Sequence, residues 1–481
     1  MASYVASVGM EVHAELATRS KMFCRCEVGF GGEVNTRTCP VCLGLPGSLP
    51  VANRDAVQMV LKTALALNCN IARRSIFHRK NYFYPDLPKG YQVSQYGETN
   101  PIGYGGYLDI NLPGDRTKRI KIRRVHLEED TAKILRLPSG GQGVDFNRAG
   151  VPLMEIVTDF PPDIQTAEEA KEYLSQLRLL LIYLGVCDGR MEQGSLRCEP
   201  NISIRPEGSS EYGTKTELKN LGSFKAVQLG IDHEVERQEA VLAEGGKIAQ
   251  ETRGWDEQTE TSYLMRVKEE ENDYRYFPDP DLVAMEFSEA VIEETKTSQP
   301  ELPHIKFRRY RSEFGLSEYD AGLLIASPEW ARWFEAAVEA GGDSKLVCNW
   351  MNSDFARLLN ETGQDAWGSK VTPAALVELT KMQATDEISS KIAKEAFEAM
   401  FREGALPKAW VEARGGAQVS DAGVLEPMVQ LVIDKNPDAV EKYMSGQDGI
   451  IGFLTGAVMK ESMGSANPKL VQQLLREKLK R

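Results

Sequence analysis

Met10-Glu-Val-His-Ala-Glu-Leu16 alternates without a break: Met10, Val12, Ala14 and Leu16 fall on one face, Glu11, His13 and Glu15 on the other. Successive side chains of an extended chain point to opposite faces. The stretch therefore reads as a strand with one apolar face and one face of imidazole and carboxylate. Working outward from it, Tyr107 to Leu112, Arg119 to Leu127, Val151 to Val157 and Leu196 to Arg205 are further strand candidates. Two segments change period: Ala167 to Leu184 sets Ala170, Tyr173, Leu174, Leu177 and Leu181 at helical spacing, and Phe224 to Ala243 is similar. Strands and helices mixed without regular βαβ repetition predict an α+β unit.

That unit is expected to span residues 1–295, closing in the Pro-rich stretch from Phe277-Pro-Asp-Pro280 to Gln299-Pro300 and Pro303. An all-α domain, 296–412, is expected next, because Ser327-Pro328 and Thr372-Pro373 each place a capping residue before a proline suited to the first helical turn. Gly415-Gly416 reads as a hinge into a small helical unit, 413–481, where Asn467-Pro468 caps a helix bearing Leu470, Leu474 and Leu475. Three domains are what 481 residues would ordinarily make. A composition of 42% hydrophobic and 26% charged residues is globular, and no stretch approaches the ~20 apolar residues of a bilayer span. The N-terminal residues show no basic-plus-apolar leader, and eight cysteines are too few for a disulfide scaffold, so a reducing cytoplasm is the expected location. A net charge of -13 argues against a chain coated in nucleic acid. From Lys460 to Arg481, however, six basic residues face two acidic ones, enough for local binding.

Four constellations carry chemistry. Cys24-x-Cys26 and Cys39-Pro-Val-Cys42 are two closely spaced thiol pairs, the pattern of a closed, structural zinc site rather than of four unrelated thiols. Glu11 and His13 share a strand face. In His126-Leu-Glu-Glu-Asp130, Glu129 is in phase with Val125 and Leu127, while His126, Glu128 and Asp130 face oppositely. Glu155 interrupts the apolar run 152–157, a costly placement unless a cation or strong donors meet it. Carboxylate oxygens are what magnesium takes; exposed faces or structural ion pairs are the plainer reading of the same acids. The segment from Arg79 to Gln95 mixes cations, aromatics, amides and hydroxyls, and suits a pocket for a nucleotide or a nucleic-acid end as well as an ordinary ordered loop. Finally, Arg197, Glu199, Asn201, Ser203 and Arg205 make a polar strand face, either a solvated sheet face or a pocket floor. No phosphate-loop motif, dinucleotide fingerprint or G-x-S-x-G elbow is present.

The strings Gly9-Met-Glu-Val-His13, Arg79-Lys-Asn-Tyr-Phe-Tyr-Pro-Asp86, His126 to Asp130, Asn147 to Val157, Gly194-Ser-Leu-Arg-Cys198, Glu217-Leu-Lys-Asn220, Gln250-Glu-Thr-Arg253 and Asp273 to Asp279, with Gly452 to Gly456 and Asn467 to Val471 near the end, resemble the GatB family. These are the B subunits of heterotrimeric tRNA amidotransferases. The resemblance implies a large mixed-sheet cradle carrying the catalytic site, a helical domain and a YqeY-like tail that grips tRNA. It implies an ATP-dependent carbon–nitrogen ligase: ATP phosphorylates the side-chain carboxylate of glutamate on tRNA(Gln) or aspartate on tRNA(Asn), and ammonia then displaces phosphate. That ammonia would come from glutamine through an amidase-like A subunit, with a small C subunit holding A and B together. By the same resemblance Glu11, His13, Glu129 and Glu155 match the magnesium set, and the four cysteines a zinc knuckle found in some members. Lys80 is the expected catalytic cation, and Lys80, Asn81 and Arg148 the expected contacts to ATP. Gly222 departs from the family pattern, which more often has Asn there. Two rivals stay open at this point: a non-catalytic tRNA-binding module, and a zinc hydrolase using His13, His126 and a carboxylate.

Overall fold

The computed structural model describes residues 3–98, 100–114, 116–267, 274–414, 422–462 and 466–479. Asp273, the proposed hinge Gly415-Gly416 and the terminal Lys480 and Arg481 lie outside the described residues. The described chain forms two units, Met1–Pro303 and His304–Arg481.

The first unit is built on a nine-stranded mixed sheet. From one edge to the other its strands are Thr261–Val267, Glu251–Asp256, Thr216–Lys219, Leu196–Pro206, Tyr4–Glu15, Pro152–Thr158, Arg116–Glu129, Gly103–Leu112 and Asn70–Ile71. Every neighbouring pair is antiparallel except Thr216–Lys219 with Glu251–Asp256. The sequence's opening alternation holds: Met10, Val12 and Ala14 are buried, and Glu11, His13 and Glu15 are only partly so. The apolar face is covered by three helices, Arg54–Ala66, Ala167–Leu184 and Phe224–Ala243. The second starts where Thr166 accepts from the Glu169 amide and stops at Gly185, whose φ of 68° is the left-handed cap a glycine adopts without strain. Leu174, Leu177 and Leu181 are fully buried, each contributing about 2 kcal/mol of apolar burial.

With one face used for the core, the opposite face is open and polar, and there the site forms. A hairpin of His78–Asn81 and Tyr91–Ser94, joined by Phe277–Pro278, stands beside it. One irregularity shapes this face. Val157 pairs with Arg124 but Thr158 pairs with Ile122, so Arg123 is an extra residue in its strand. Ile122 and Val125, three residues apart, are both fully buried. The phase of the strand therefore shifts at Arg123-Arg124, and both arginines project from the open face, as a β-bulge permits.

The second unit is helical among its described residues. Ser327, Thr372 and Asn467 cap the helices Pro328–Glu339, Pro373–Ala384 and Pro468–Lys478 as expected. Trp333, Phe334, Phe355 and Phe397 are fully buried in it. Leu425, Val429, Leu454, Val458, Val471 and Leu475 form a separate apolar cluster. No helix among the described residues is long and apolar enough to cross a membrane.

Candidate functional site

The register of the central strands assembles the site. His13 pairs with Glu155 on one side and Arg197 on the other, and Glu155 pairs with His126. Residues directly opposite across a ladder point to the same face, so these side chains converge. His126 Nε2 lies 3.0 Å from Glu155 Oε2 and 3.3 Å from Glu128 Oε1, and His13 Nε2 lies 3.7 Å from Glu155 Oε2. Candidate ligand atoms of His13, Glu128 and Glu155 all fall within 4.8 Å of one another. Glu11 joins from the neighbouring position, accepting from Asn201 Nδ2 at 3.0 Å. Donors fix Glu128: Ser94 Oγ donates to Oε1, and Gln92 Nε2 donates to Oε2 at 3.2 Å.

The electrostatics are those of a crowded anionic site. Burial works against charging His126, but Glu155 and Glu128 outweigh it and raise the imidazole to about 9. Burial also works against the Glu155 carboxylate, yet His126, His13 and Lys80 together hold it well below the ordinary range. Glu11 is pushed up, first by burial and then by Glu155 and Glu217. Lys80 is opposed by burial but held above the ordinary lysine range by Glu128, Tyr276 and Glu155. Its ammonium sits 5.1 Å from the Tyr274 ring and makes no ion pair within 4.0 Å among the described residues. A carboxylate pushed upward by burial and by its anionic neighbours is relieved by a cation, and a donor set of carboxylates with an imidazole fits a hard divalent metal.

These groups line a cavity of about 480 Å³. Tyr82, Tyr96, Tyr274 and Tyr276 form one wall, with Tyr96 and Tyr276 stacked at 4.3 Å. Arg197, Glu199, Lys215, Glu217, Lys219 and Arg266 are on others. Arg197 bridges Glu15, at 2.9 Å, and Asp130. The polar face of the Leu196–Pro206 strand is thus a pocket floor at Arg197, Glu199 and Asn201.

A GatB/GatE catalytic-domain model matches residues 6–293 and a GatB-domain model residues 332–479. The chain is 50% identical over 477 residues to the B subunit of the aspartyl/glutamyl-tRNA(Asn/Gln) amidotransferase of Thermodesulfovibrio yellowstonii, covering 99% of both proteins. It is 50% identical to the Brevibacillus brevis protein of that name (100% of this chain, 99% of the relative) and 48% identical to that of Geobacter sulfurreducens (99% and 100%). The chain belongs to the GatB family.

Measured against the GatB resemblance, the structure brings Glu11, His13, Glu155 and Lys80 together and leaves Glu129 out. Glu129 projects to the other side of its strand, where it pairs with Lys89 and accepts from the Val93 amide at 3.0 Å. Glu128 takes its place in the cluster. Asn81 and Arg148 do not line the cavity either. Asn81 Nδ2 donates to the carbonyls of Arg275, at 2.9 Å, and Tyr274, so it braces the aromatic wall. Arg148 Nε donates to Thr131 O at 2.9 Å and lies 3.5 Å from Asp130. The residues this GatB site adds to the expected set are His126, Glu128, Lys215, Lys219, Arg266 and the tyrosine wall. Four of the wall and donor residues (Tyr82, Gln92, Ser94 and Gln95) fall inside the 79–95 segment already singled out by composition.

The four GatB cysteines form their own cluster, their sulfurs within 4.8 Å of one another and Cys39 and Cys42 3.9 Å apart. A tetrahedron with ~2.3 Å zinc–sulfur bonds has sulfur–sulfur edges of about 3.8 Å, so the set fits zinc. Lys21 is fully buried beside it, Nζ 3.8 Å from Cys42 Sγ and 3.1 Å from Phe146 O. Cys42 is lowered to about 5 by its hydrogen bond with Cys24, against burial, helped by the Cys39 amide and Lys21. The other four cysteines are buried, free thiols.

Proposed function

We propose that this chain is the B subunit of a glutamine-dependent tRNA amidotransferase, using ATP to activate the side-chain carboxylate of glutamate on tRNA(Gln) or aspartate on tRNA(Asn). The observation that carries the reading is the convergence of Glu11, His13, Glu128 and Glu155 on one sheet face opposite Lys80. Phosphorylating a carboxylate brings anionic groups together, and this is a site built to hold positive charge between them. Glu11, His13, Glu128 and Glu155 would hold magnesium; when bound, it supplies charge neutralisation at the phosphate oxygens. Lys80, without an ion-pair partner among the described residues and aimed into the cavity, stabilises negative charge on the phosphoryl group in transfer. His126, held charged between Glu155 and Glu128, fixes the orientation of both carboxylates. The attacking carboxylate is ionised at neutral pH and needs no general base. Ammonia then displaces phosphate from the acyl phosphate, giving the amide.

In this reading residues 1–295 are the catalytic cradle, 296–412 the helical domain and 413–481 the tRNA-binding tail. The A subunit supplies ammonia and the C subunit joins the two, in the cytoplasm. Zinc on Cys24, Cys26, Cys39 and Cys42 stiffens the cradle rim. A bare tRNA-binding module has no use for buried carboxylates around imidazoles, so the catalytic reading is preferred. The test is ATP cleavage by the chain co-expressed with its A and C partners, with and without glutamyl-tRNA(Gln) and aspartyl-tRNA(Asn), beside Glu155→Ala. Magnesium-dependent cleavage stimulated by charged tRNA and lost in the variant is the expected result. Cleavage indifferent to both charged tRNAs would overturn it.

A further inference from the structure

Beyond the acidic cluster, the open face of the sheet continues into two more cavities, each of about 390 Å³. The nearer one shares Glu11, Arg124, Asn201 and Lys215 with the catalytic cavity, and the farther shares Arg123, Arg124, Asp159 and Phe160 with the nearer. The order follows the strands. Along Arg116–Glu129 the lining passes from Glu128 and His126 to Arg124 and Arg123, and along Tyr4–Glu15 from His13 and Glu11 to Gly9 and Ser7. Arg124 lies about 7 Å along its strand from His126 and about 13 Å from Glu128, at ~3.3 Å per residue.

The extension has a distinct chemistry. The bulge puts two consecutive arginines on this face, and neither Arg123, Arg124 nor Lys215 makes an ion pair within 4.0 Å among the described residues. Arg124 Nε is buried without a hydrogen-bond partner. Phe160 is 63% exposed and meets Tyr212 with ring centroids 5.0 Å apart, while Arg205 lies 4.3 Å over the other ring. Of the acids lining the extension, Glu11 belongs to the acidic cluster at its catalytic end, Asp159 already accepts from the Phe160 amide, and Glu98 lines only the farther cavity. Unpaired cations beside an aromatic pair whose Phe160 ring is exposed make a track for a single-stranded nucleic acid, phosphates on the cations and a base on that ring.

We propose that the Arg123–Arg124 bulge, Lys215 and the Phe160–Tyr212 pair form the entry subsite for the single-stranded 3′ end of the charged tRNA; the inference rests on the tRNA-dependent reading above. Two features favour this occupant over the nucleotide of ATP. Attacking and leaving oxygens lie roughly in line in phosphoryl transfer, so ATP and the aminoacyl group approach the cluster from opposed directions. The tyrosine wall with Lys80 flanks the catalytic cavity alone, and that side suits the nucleotide. A polymer also needs a way out to solvent, and away from the catalytic cavity the extension is lined by the exposed Arg123 and Phe160.

The test uses the co-expressed complex carrying Arg123→Ala or Phe160→Ala, both at exposed positions outside the catalytic cavity. The KM for charged tRNA should rise about tenfold, the scale of one lost base stack or phosphate contact, with the KM for ATP unchanged. Arg123→Ala should also flatten the dependence of log KM on log salt by about 0.7. Inhibition by a tRNA shortened by its single-stranded 3′ nucleotides should be the same for wild type and variants. A rise in the KM for ATP alone would make the extension the nucleotide's site, and an equal loss of affinity for the shortened tRNA would place the contacts on the tRNA body. Either result, or unchanged kinetics, overturns the subsite. If wild type shows no stimulation by charged tRNA, it is the underlying function that fails, and the two failures are distinguishable.

Discussion

Glu128 and Glu129 are adjacent, both buried and both carboxylates, yet their replacement by glutamine should have different consequences. Glu128 Oε1 lies 3.3 Å from His126, and the carboxylate sits within the His13–Glu155 cluster. Glu128→Gln keeps the shape but removes one of the charges proposed to hold a divalent cation. Losing a group that merely orients a ligand weakens metal binding about 10–100-fold, so losing a ligating charge should cost at least about 100-fold. Stability should also fall, because against burial and the repulsion of Glu155 the attractions of His126 and Lys80 hold this carboxylate below the ordinary range, so magnesium dependence is the readout that separates the two variants. Glu129→Gln instead breaks the pair with Lys89 on the other face and weakens the acceptor for Val93 N–H, costing about 1–3 kcal/mol of stability. Its magnesium dependence should be that of wild type. The assay is a magnesium titration of charged-tRNA-stimulated ATP cleavage by the complex, beside thermal unfolding of each variant. Wild-type magnesium dependence in Glu128→Gln, with a shifted midpoint in Glu129→Gln, would refute the strand-face assignment and the site built on it.

Lys80→Met should lower kcat for ATP cleavage by about 100-fold or more while leaving the magnesium midpoint near wild type, since it removes stabilisation of transferring charge rather than a ligand; a large midpoint shift without a fall in kcat would contradict that role. Chelation of the native protein should expose four thiols to alkylation at mildly alkaline pH, with release of one zinc. Cys69 and Cys187, pushed up to about 12 by burial, should stay protected until the chain unfolds, and early modification of either would show the fold opening first. Leu181→Ala, in the helix packed under the sheet, should destabilise the first unit by about 3 kcal/mol, read from the denaturant midpoint.

Five of the nine sheet strands, the two long helices and the Pro-started caps were legible because each follows from a local period or a local hydrogen bond; the edge strands and the helix Arg54–Ala66 were not marked. Ala167–Leu184 and Phe224–Ala243 are the segments the apolar spacing marks. What the sequence does not hold is register. Glu155 meets His126 and His13 only because two antiparallel ladders align them, and no spacing along the chain states that alignment. The same holds for Lys219 and Arg266, carried to the cavity by strands on the far half of the sheet. Asn81 and Arg148 are a different case. Both have the right chemistry for phosphate, but backbone carbonyls claim their donors, and only the folded chain shows that.

The exchange of Glu129 for Glu128 shows where local physics outranks likeness. Alternation alone puts Glu129 with Val125 and Leu127, and the structure has those two fully buried, with Glu129 on their side against Lys89. It puts Glu128 with His126, and there the two side chains touch. The likeness matches a string, His126 to Asp130, and a string with two consecutive glutamates does not by itself say which one faces His13 and Glu155. Period-two geometry does, as long as no bulge intervenes between the residues being phased. One bulge does exist in this strand, but at Arg123, before Val125. Had it fallen three residues later, the phase argument would have chosen the wrong glutamate. The same bulge that leaves the glutamate phase intact gives the open face its two adjacent arginines, so a single extra residue separates the strand into a half that carries His126 and Glu128 and a half that carries cations.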